Sequence, residues 1–411
     1  MGPISQMLHA ARPSVGAVLH STGHPAPAAS HALWSPGSRL HVLIMSADLA
    51  GGHDALAQAL KSELLTRMPT ASVSIINSLA DANPLAYSLM KKAMVGQITH
   101  APSTYETTYR VVTTKAATSA VRTGVDVVYG RGLQRRIAAD APDVVVSTFP
   151  MTTSALGTLK RSGKIDVPVV AAATDADAHA MWFARGVDSH TVFNPNDARR
   201  ATERSMRDAS LRGINITTTR PPVDPRLADP VDVSAVRGSF DLPQDRPVVL
   251  VSGGSLGLVI PPQDIAKLHA RTGATVAVAT GRNEGLYREL AAAHVRSEVA
   301  PIPFTKEMPS LLKSVDAMIA NAGGMTTYES FAAGTPVLFY KPLPGHGVDA
   351  ARALADDGFA TLTYDIDSLA TAVHNIIDRR GPASHTAAAA SSIFTLPSSM
   401  SDAVLGAAAL R

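Results

Sequence analysis

Apolar residues along the chain fall into short unbroken runs, separated by stretches with helical spacing. Residues 39–45 (Arg-Leu-His-Val-Leu-Ile-Met) read as a first buried strand. From Asp54 to Met68 the apolar positions Leu56, Ala59, Leu60, Leu64 and Met68 follow the period of an amphipathic helix. Strands are expected again at 71–76, 143–148, 167–173, 191–193 and 215–219, with a helix over 197–212. Pro221-Pro222-Val223-Asp224-Pro225 is a stiff connector, and a domain boundary is placed there, near Arg226. The rhythm then restarts. Strands are expected at 247–251, 274–279, 299–304, 315–320, 337–340 and 359–364, with helices at 264–271, 286–294, 309–314, 326–333, 348–357 and 366–379. Alternating β and α segments predict parallel sheets, one in each of two doubly wound, Rossmann-like α/β domains. The expected division is a disordered leader at 1–38, a first domain at 39–225, a second at 226–380 and a tail at 381–411. The tail is rich in Ala and Ser and carries a short helix from Asp402.

Glycines punctuate the strand ends where ligands of open α/β sheets bind. Asn321-Ala322-Gly323-Gly324 follows the strand at 315–320 and opens a helix. Unpaired amides and the positive dipole end at such a helix start favour an anion. Glu329 lies about one turn further on and suits a pair of ribose hydroxyls. An ordinary βαβ turn with a solvated Glu fits this stretch equally well. Ser252-Gly253-Gly254-Ser255-Leu256-Gly257 is a second such turn, and Thr280-Gly281-Arg282-Asn283 ends the next strand with a cation able to neutralise a diphosphate. In the first half, Gly51-Gly52 precede His53 at a helix start. A histidine there serves as a general base or, more commonly, as a cap or a solvated side chain. Asp175 with His179 and Trp182 follows the strand at 167–173 and has the chemistry of a cleft wall, although each alone fits a structural role.

Composition narrows the classes. The 411 residues contain no cysteine, which excludes disulfides, cysteine nucleophiles and thiolate metal sites. A net charge of +3 without a long Lys/Arg run gives no case for nucleic acid. No apolar stretch approaches the roughly 18 residues of a membrane-spanning helix, and 1–38 lacks the charged start and apolar core of a signal peptide. Residues 84–136 break the βα rhythm. They carry Lys91, Lys92, Arg110, Lys115, Arg122, Arg131, Arg135 and Arg136 against only Glu106 and Asp126, interleaved with Leu85, Leu89, Met90, Met94, Tyr105 and Tyr109. That mixture suits an amphipathic surface on anionic lipid, and equally helices with one core face and one solvated face. No Walker A, His-Glu-x-x-His or Gly-x-Ser-x-Gly pattern occurs.

Taken in order, the motifs resemble the monogalactosyldiacylglycerol synthase and diacylglycerol glucosyltransferase family and, more distantly, the MurG-type glycosyltransferases. The carriers are Met45-Ser46 through Gly51-Gly52-His53, the run 142–148, Thr174-Asp175 with His179 and Trp182-Phe183, Gly281-Arg282-Asn283, Phe304-Thr305 with Met308, and Ala322-Gly323 with Thr326 and Glu329. They span roughly residues 42–359. The resemblance implies a GT-B fold and inverting transfer of a hexose from a UDP-sugar to a lipid hydroxyl, without a cofactor or an obligatory metal. His53 is then the base, and Asp175 orients His53 or the acceptor. Gly51, Gly52, His179 and Trp182 line the acceptor cleft. Gly253, Gly254, Ser255, Arg282, Asn283, Phe304, Met308, Ala322, Gly323, Gly324, Thr326, Glu329, His346 and Gly347 hold the donor. Lys91, Lys92 and Arg110 seat the enzyme on an anionic membrane, peripherally on the inner face.

Two departures bear on the donor. The family's donor loop reads Pro-Gly-Gln-Glu, whereas Pro344-Gly345-His346-Gly347 stands here, with Asp349 near the position of a following Asn. The first donor turn, Ser255-Leu256-Gly257, lacks the family's acidic residue. UDP-glucose, UDP-galactose and UDP-N-acetylglucosamine all remain open, as do diacylglycerol, polyprenyl-linked and other hydrophobic acceptors. A UDP-sugar epimerase and a non-catalytic UDP-sugar sensor are the readings of another class. Retention of both His53 and Asp175 argues against the sensor.

Overall fold

Twelve apolar runs form two six-stranded sheets in a computed structural model that describes residues 39–49, 51–257, 260–293, 295–379 and 385–409. The expected leader, 1–38, lies outside the described residues. The first sheet is built by β1 (His41–Ser46), α1 (Gly52–Arg67), β2 (Ser72–Asn77), α2 (Ser78–Ala82), α3 (Pro84–His100), α4 (Pro102–Val112), α5 (Lys115–Asp140), β3 (Val144–Ser147), α6 (Pro150–Arg161), β4 (Val169–Ala172), β5 (Ser189–Val192), α7 (Pro195–Arg207) and β6 (Ile216–Thr218). Its strand order is β2-β1-β3-β4-β5-β6, all parallel. The second half runs α8 (Val233–Ser239), β7 (Val248–Ser252), α9 (Pro262–Thr272), β8 (Thr275–Gly281), α10 (Glu284–Ala293), β9 (Val299–Pro303), α11 (Met308–Ser314), β10 (Ala317–Ala320), α12 (Met325–Ala333), β11 (Val337–Tyr340), α13 (His346–Asp356), β12 (Thr361–Thr363) and α14 (Ile366–Ile377). Its order is β12-β11-β10-β7-β8-β9, again all parallel. Helices α15 (Thr386–Ser391) and α16 (Met400–Ala408) follow.

Central strands such as β3 (Val-Val-Val-Ser) and β10 (Ala-Met-Ile-Ala) are buried at every position. Burial on both faces is what makes a parallel strand read as an unbroken apolar run. Each sheet reverses its winding beside its first strand, between β1 and β3 and between β7 and β10. Ligands of such sheets sit beyond the C-terminal strand ends at those switch points.

Helix α6 has no clear signature in the sequence. Thr152, Thr153 and Ser154 are buried on it in place of aliphatic residues. Two of their hydroxyls are paired inside the layer, Thr152 with Ser78 at 2.7 Å and Thr153 with Ser147 at 2.9 Å, which offsets the cost of burying them, while Ser154 Oγ has no partner among the described residues. The tail is more structured than a single short helix. Ser399 and Asp402 close a capping box, so α16 starts at Met400, ahead of Asp402. It packs on β3, β4 and β5 of the first sheet, tied by Arg67–Asp402 at 2.7 Å.

The two halves share an apolar seam. Phe193 meets Tyr328 edge-to-face at 5.2 Å, within a cluster that also contains Leu60, Phe331 and Phe339. Beside it, Arg200 grips Asp357 with two hydrogen bonds, of 3.0 and 2.8 Å.

Candidate active site

The turn after β1 delivers His53. Gly51 has φ +81°, a conformation that favours glycine, and a Cβ placed there would lie 2.7 Å from Ser255 Oγ of the other domain. A Cβ on Gly52 would lie 3.9 Å from the backbone N of Met325. Glycine at position 51 therefore lets the turn before α1 come up against the β7 turn, and the start of α1 lies in ordinary contact range of the start of α12. His53 stands in the first turn of α1, its ring 5.0 Å from Phe149 and 5.8 Å from Trp182. Its Nδ1 is 3.5 Å from Thr174 Oγ1. Burial among these rings pushes its pKa below the ordinary value, against the opposing influence of Asp175, the Thr148 carbonyl and Asp54. The imidazole is thus held neutral, as a base must be.

Asp175 accepts a hydrogen bond from Trp182 Nε1 at 2.9 Å. Burial alone would raise its pKa, but His346, His179, His53 and the Trp182 indole outweigh it and hold the carboxyl below its usual range. His179 is pushed down to about 4, chiefly by burial, and so is neutral near pH 7. Arg122 of α5 donates from Nη2 to the carbonyls of Ala180 and Phe183, both at 2.8 Å, fixing the short turn that carries Trp182.

The donor side is built from two glycine turns and α12. Gly254 and Gly257 have positive φ, and the Gly257 amide closes the turn on the Gly254 carbonyl at 3.0 Å. The Arg282 amide donates to the Ser255 carbonyl at 3.0 Å, and the Arg282 guanidinium lies over the ring of Phe304, 4.9 Å from its centre. Helix α12 begins at Met325, straight after Ala322, Gly323 and Gly324, with no side chain capping its first amides. These amides remain available to an anion. Glu329 makes no side-chain hydrogen bond among the described residues, and burial, followed by the charge of Asp224, pushes its carboxyl up to about 7.

Other expected donor residues have structural work. Asn283 Oδ1 accepts from the Leu286 amide at 3.0 Å at the start of α10, and Met308 packs half-buried on the core. Thr326, in the first turn of α12, is half-buried. His346 and Gly347 form the first turn of α13, two residues earlier than the apolar pattern indicates. Of the three cations assigned to the membrane, two are engaged within the protein. Lys91 pairs with Asp48 at 2.5 Å, and Arg110 with Asp349 at 2.9 Å. Lys92 is exposed and has no ion pair among the described residues. Sequence reasoning did not place Tyr105 beside His346 or Tyr109 beside His179, where their rings stand at 5.9 and 5.7 Å. Their i,i+4 spacing on α4 was the available signal.

Residues 53–217 match the monogalactosyldiacylglycerol (MGDG) synthase family, and residues 248–399 match the glycosyltransferase family 28 C-terminal domain. The chain is 22% identical over 351 residues to a processive diacylglycerol beta-glucosyltransferase of Bacillus subtilis (strain 168), covering 82% of this chain and 86% of that one. It is 23% identical over 331 residues to the enzyme of that name from Bacillus cereus (strain AH187), covering 79% and 82%. The chain thus resembles the monogalactosyldiacylglycerol synthase family over its first half and the glycosyltransferase family 28 C-terminal domain over its second. It is therefore a glycosyltransferase. The GT-B fold is shared with Acinetobacter baumannii MurG, at TM-score 0.52 and 17% identity over 90% of this chain and 98% of that one. It is shared as well with Medicago truncatula UGT71G1, solved as its UDP-glucose complex, at TM-score 0.56 and 11% identity over 90% and 97%. Among the described residues no helix of this glycosyltransferase is long and apolar enough to cross a membrane, and no group of three His, Asp or Glu could hold a metal ion.

Proposed function

We propose that the enzyme moves a hexose from a UDP-sugar to a lipid hydroxyl, diacylglycerol being the first candidate, with inversion at the anomeric carbon. The observation that carries this reading is the approach of two helix starts across the cleft, Gly52 of α1 against Met325 of α12. It sets a neutral histidine beside the start of α12, where an anion is favoured. The acceptor hydroxyl oxygen attacks the anomeric carbon as its proton passes to the His53 imidazole. The bond from that carbon to the diphosphate oxygen breaks, and UDP leaves with the electron pair. Asp175 stabilises the imidazolium that forms. The amides of Gly324 and Met325, with the Gly253-Gly254-Ser255 turn, offset charge on the leaving diphosphate. Glu329 accepts the ribose hydroxyls, and Phe304 under Arg282 faces the base. No cofactor takes part.

The names of the Bacillus relatives support diacylglycerol as acceptor. A membrane seat is supported by α3 and α5, where Leu85, Leu89 and Val127 are 72%, 62% and 78% exposed beside exposed Lys92, Arg131 and Arg135. Apolar side chains among cations bind anionic lipid, which supports a peripheral seat on the inner face of the cell membrane. Product stereochemistry tests the reaction class. An α-linked UDP-hexose should give a β-linked glycolipid by NMR, whereas an α-linked product would overturn single displacement.

A further inference from the structure

Helix α4 belongs to the first domain but lies over the start of α13 in the second. Tyr105 Oη is 2.9 Å from His346 Nδ1. Tyr109 Oη donates to Asp349 Oδ2 at 3.2 Å, and Arg110 Nη1 donates to the same oxygen at 2.9 Å. The Tyr109 ring also stands edge-on to His179, with centroids 5.7 Å apart. The donor loop is shaped for this cover. Gly345 adopts φ +78° and ψ −121°, and a Cβ there would lie 2.9 Å from carbons of the Tyr109 ring. Only glycine lets the loop backbone lie flat against that ring.

The start of α13 also abuts the proposed diphosphate seat. The Leu343 amide donates to the Asn321 carbonyl at 2.7 Å, and a Cβ on Gly347 would lie 3.1 Å from the same oxygen. A hexose is the next group beyond a diphosphate held at Gly323-Gly324, and its anomeric carbon has to face His53. It therefore meets the start of α13 on the side walled by α4. We propose that Tyr105 and Tyr109 complete the donor-sugar subsite from the first domain, and that their hydroxyls, with His346 and Asp349, decide which hexose is accepted. This rests on the transfer from a UDP-sugar argued above.

The chemistry suits hydroxyl recognition. Asp349 only accepts hydrogen bonds, a phenol gives or accepts one, and the imidazole does either according to tautomer. Arg110 keeps Asp349 in place. Burial, then the charge of Asp175, pushes the Tyr105 phenol up to about 12, so it remains a protonated donor at working pH. Each of these groups has a protein partner, so a sugar hydroxyl that displaces that partner without replacing it leaves a buried polar group unpaired. Such a mismatch discriminates between epimers more sharply than shape alone.

Tyr105→Phe and Tyr109→Phe remove the hydroxyls and keep the rings against the loop. The test measures UDP and UDP-hexose affinity by calorimetry without acceptor, together with the kcat/KM ratio for two C4-epimeric UDP-hexoses. UDP binds without the subsite, so its affinity reports folding. The inference expects UDP affinity within about twofold of wild type, UDP-hexose affinity down by about five- to tenfold, and an epimer ratio reduced by a similar factor. Both variants matching wild type in UDP-hexose affinity and epimer ratio would overturn it, as would an effect confined to acceptor KM. A wild-type enzyme that binds no UDP-sugar removes the parent reading and this one together.

Discussion

Trp182 Nε1 donates a 2.9 Å hydrogen bond to Asp175 Oδ2. The indole is fully buried, and the carboxylate it holds faces His53, His179 and His346. Trp182 thus acts on the reaction through Asp175, as a positioning residue, and Arg122 fixes the turn that carries it. Trp182→Phe keeps a ring in the core and deletes the donor. A hydrogen bond to a charged group contributes about 1.5–3 kcal/mol. Loss of that donor lets burial raise the Asp175 pKa. The variant is expected to lose about ten- to a hundredfold in kcat, with the acidic limb of its pH–rate profile moved upward. A profile of unchanged shape would assign Trp182 to packing alone.

His53 sets the acidic limit of the wild-type enzyme. Its pKa lies below the ordinary 6.5 because burial disfavours the imidazolium. A base must be unprotonated, so kcat at saturating donor should hold as pH falls through 6.5 and decline only at more acidic values. His53→Ala should lower transfer by about a hundredfold to ten-thousandfold and flatten that limb. UDP affinity, measured by calorimetry, should stay near wild type, because the nucleotide seat belongs to the other domain.

Glu329 makes donor binding pH-dependent in a second range. Its carboxyl is pushed up to about 7, by burial first and then by Asp224. The ionised form accepts hydrogen bonds from a ribose diol, and the protonated form is the poorer acceptor. UDP affinity should therefore rise as pH rises through 7, level off above it, and be lost progressively below. Uptake of UDP below pH 7 should release a proton, measurable as a buffer-dependent binding enthalpy. Glu329→Gln should cost about tenfold in affinity at pH 8 and remove the dependence.

The strands were legible because both sheets are covered on both faces, so β3 and β10 read as unbroken apolar runs. Helix α6 was hidden, since its core side mixes Thr152, Thr153 and Ser154 with Ala155, Leu156 and Leu159, and only the folded layer supplies Thr152 and Thr153 with their partners, Ser78 and Ser147. In the candidate site, His53, Asp175 and Glu329 were singled out because each follows a strand end in a recognisable motif. Tyr105 and Tyr109 were not, because their partners His346 and Asp349 lie 241 and 240 residues further along the chain. No local pattern encodes such a meeting. Lys91 and Arg110 show the converse. As charges in a basic segment they resemble membrane contacts, and folding commits them to Asp48 and Asp349.

The most direct measurement is a donor screen on anionic vesicles containing diacylglycerol, scoring UDP release and sugar-labelled lipid for each UDP-sugar. Labelled diacylglycerol formed from one UDP-hexose in step with UDP release is the expected result, and it fixes donor, acceptor and reaction together. UDP release without labelled lipid, or UDP binding without release under every donor, would contradict transfer to diacylglycerol.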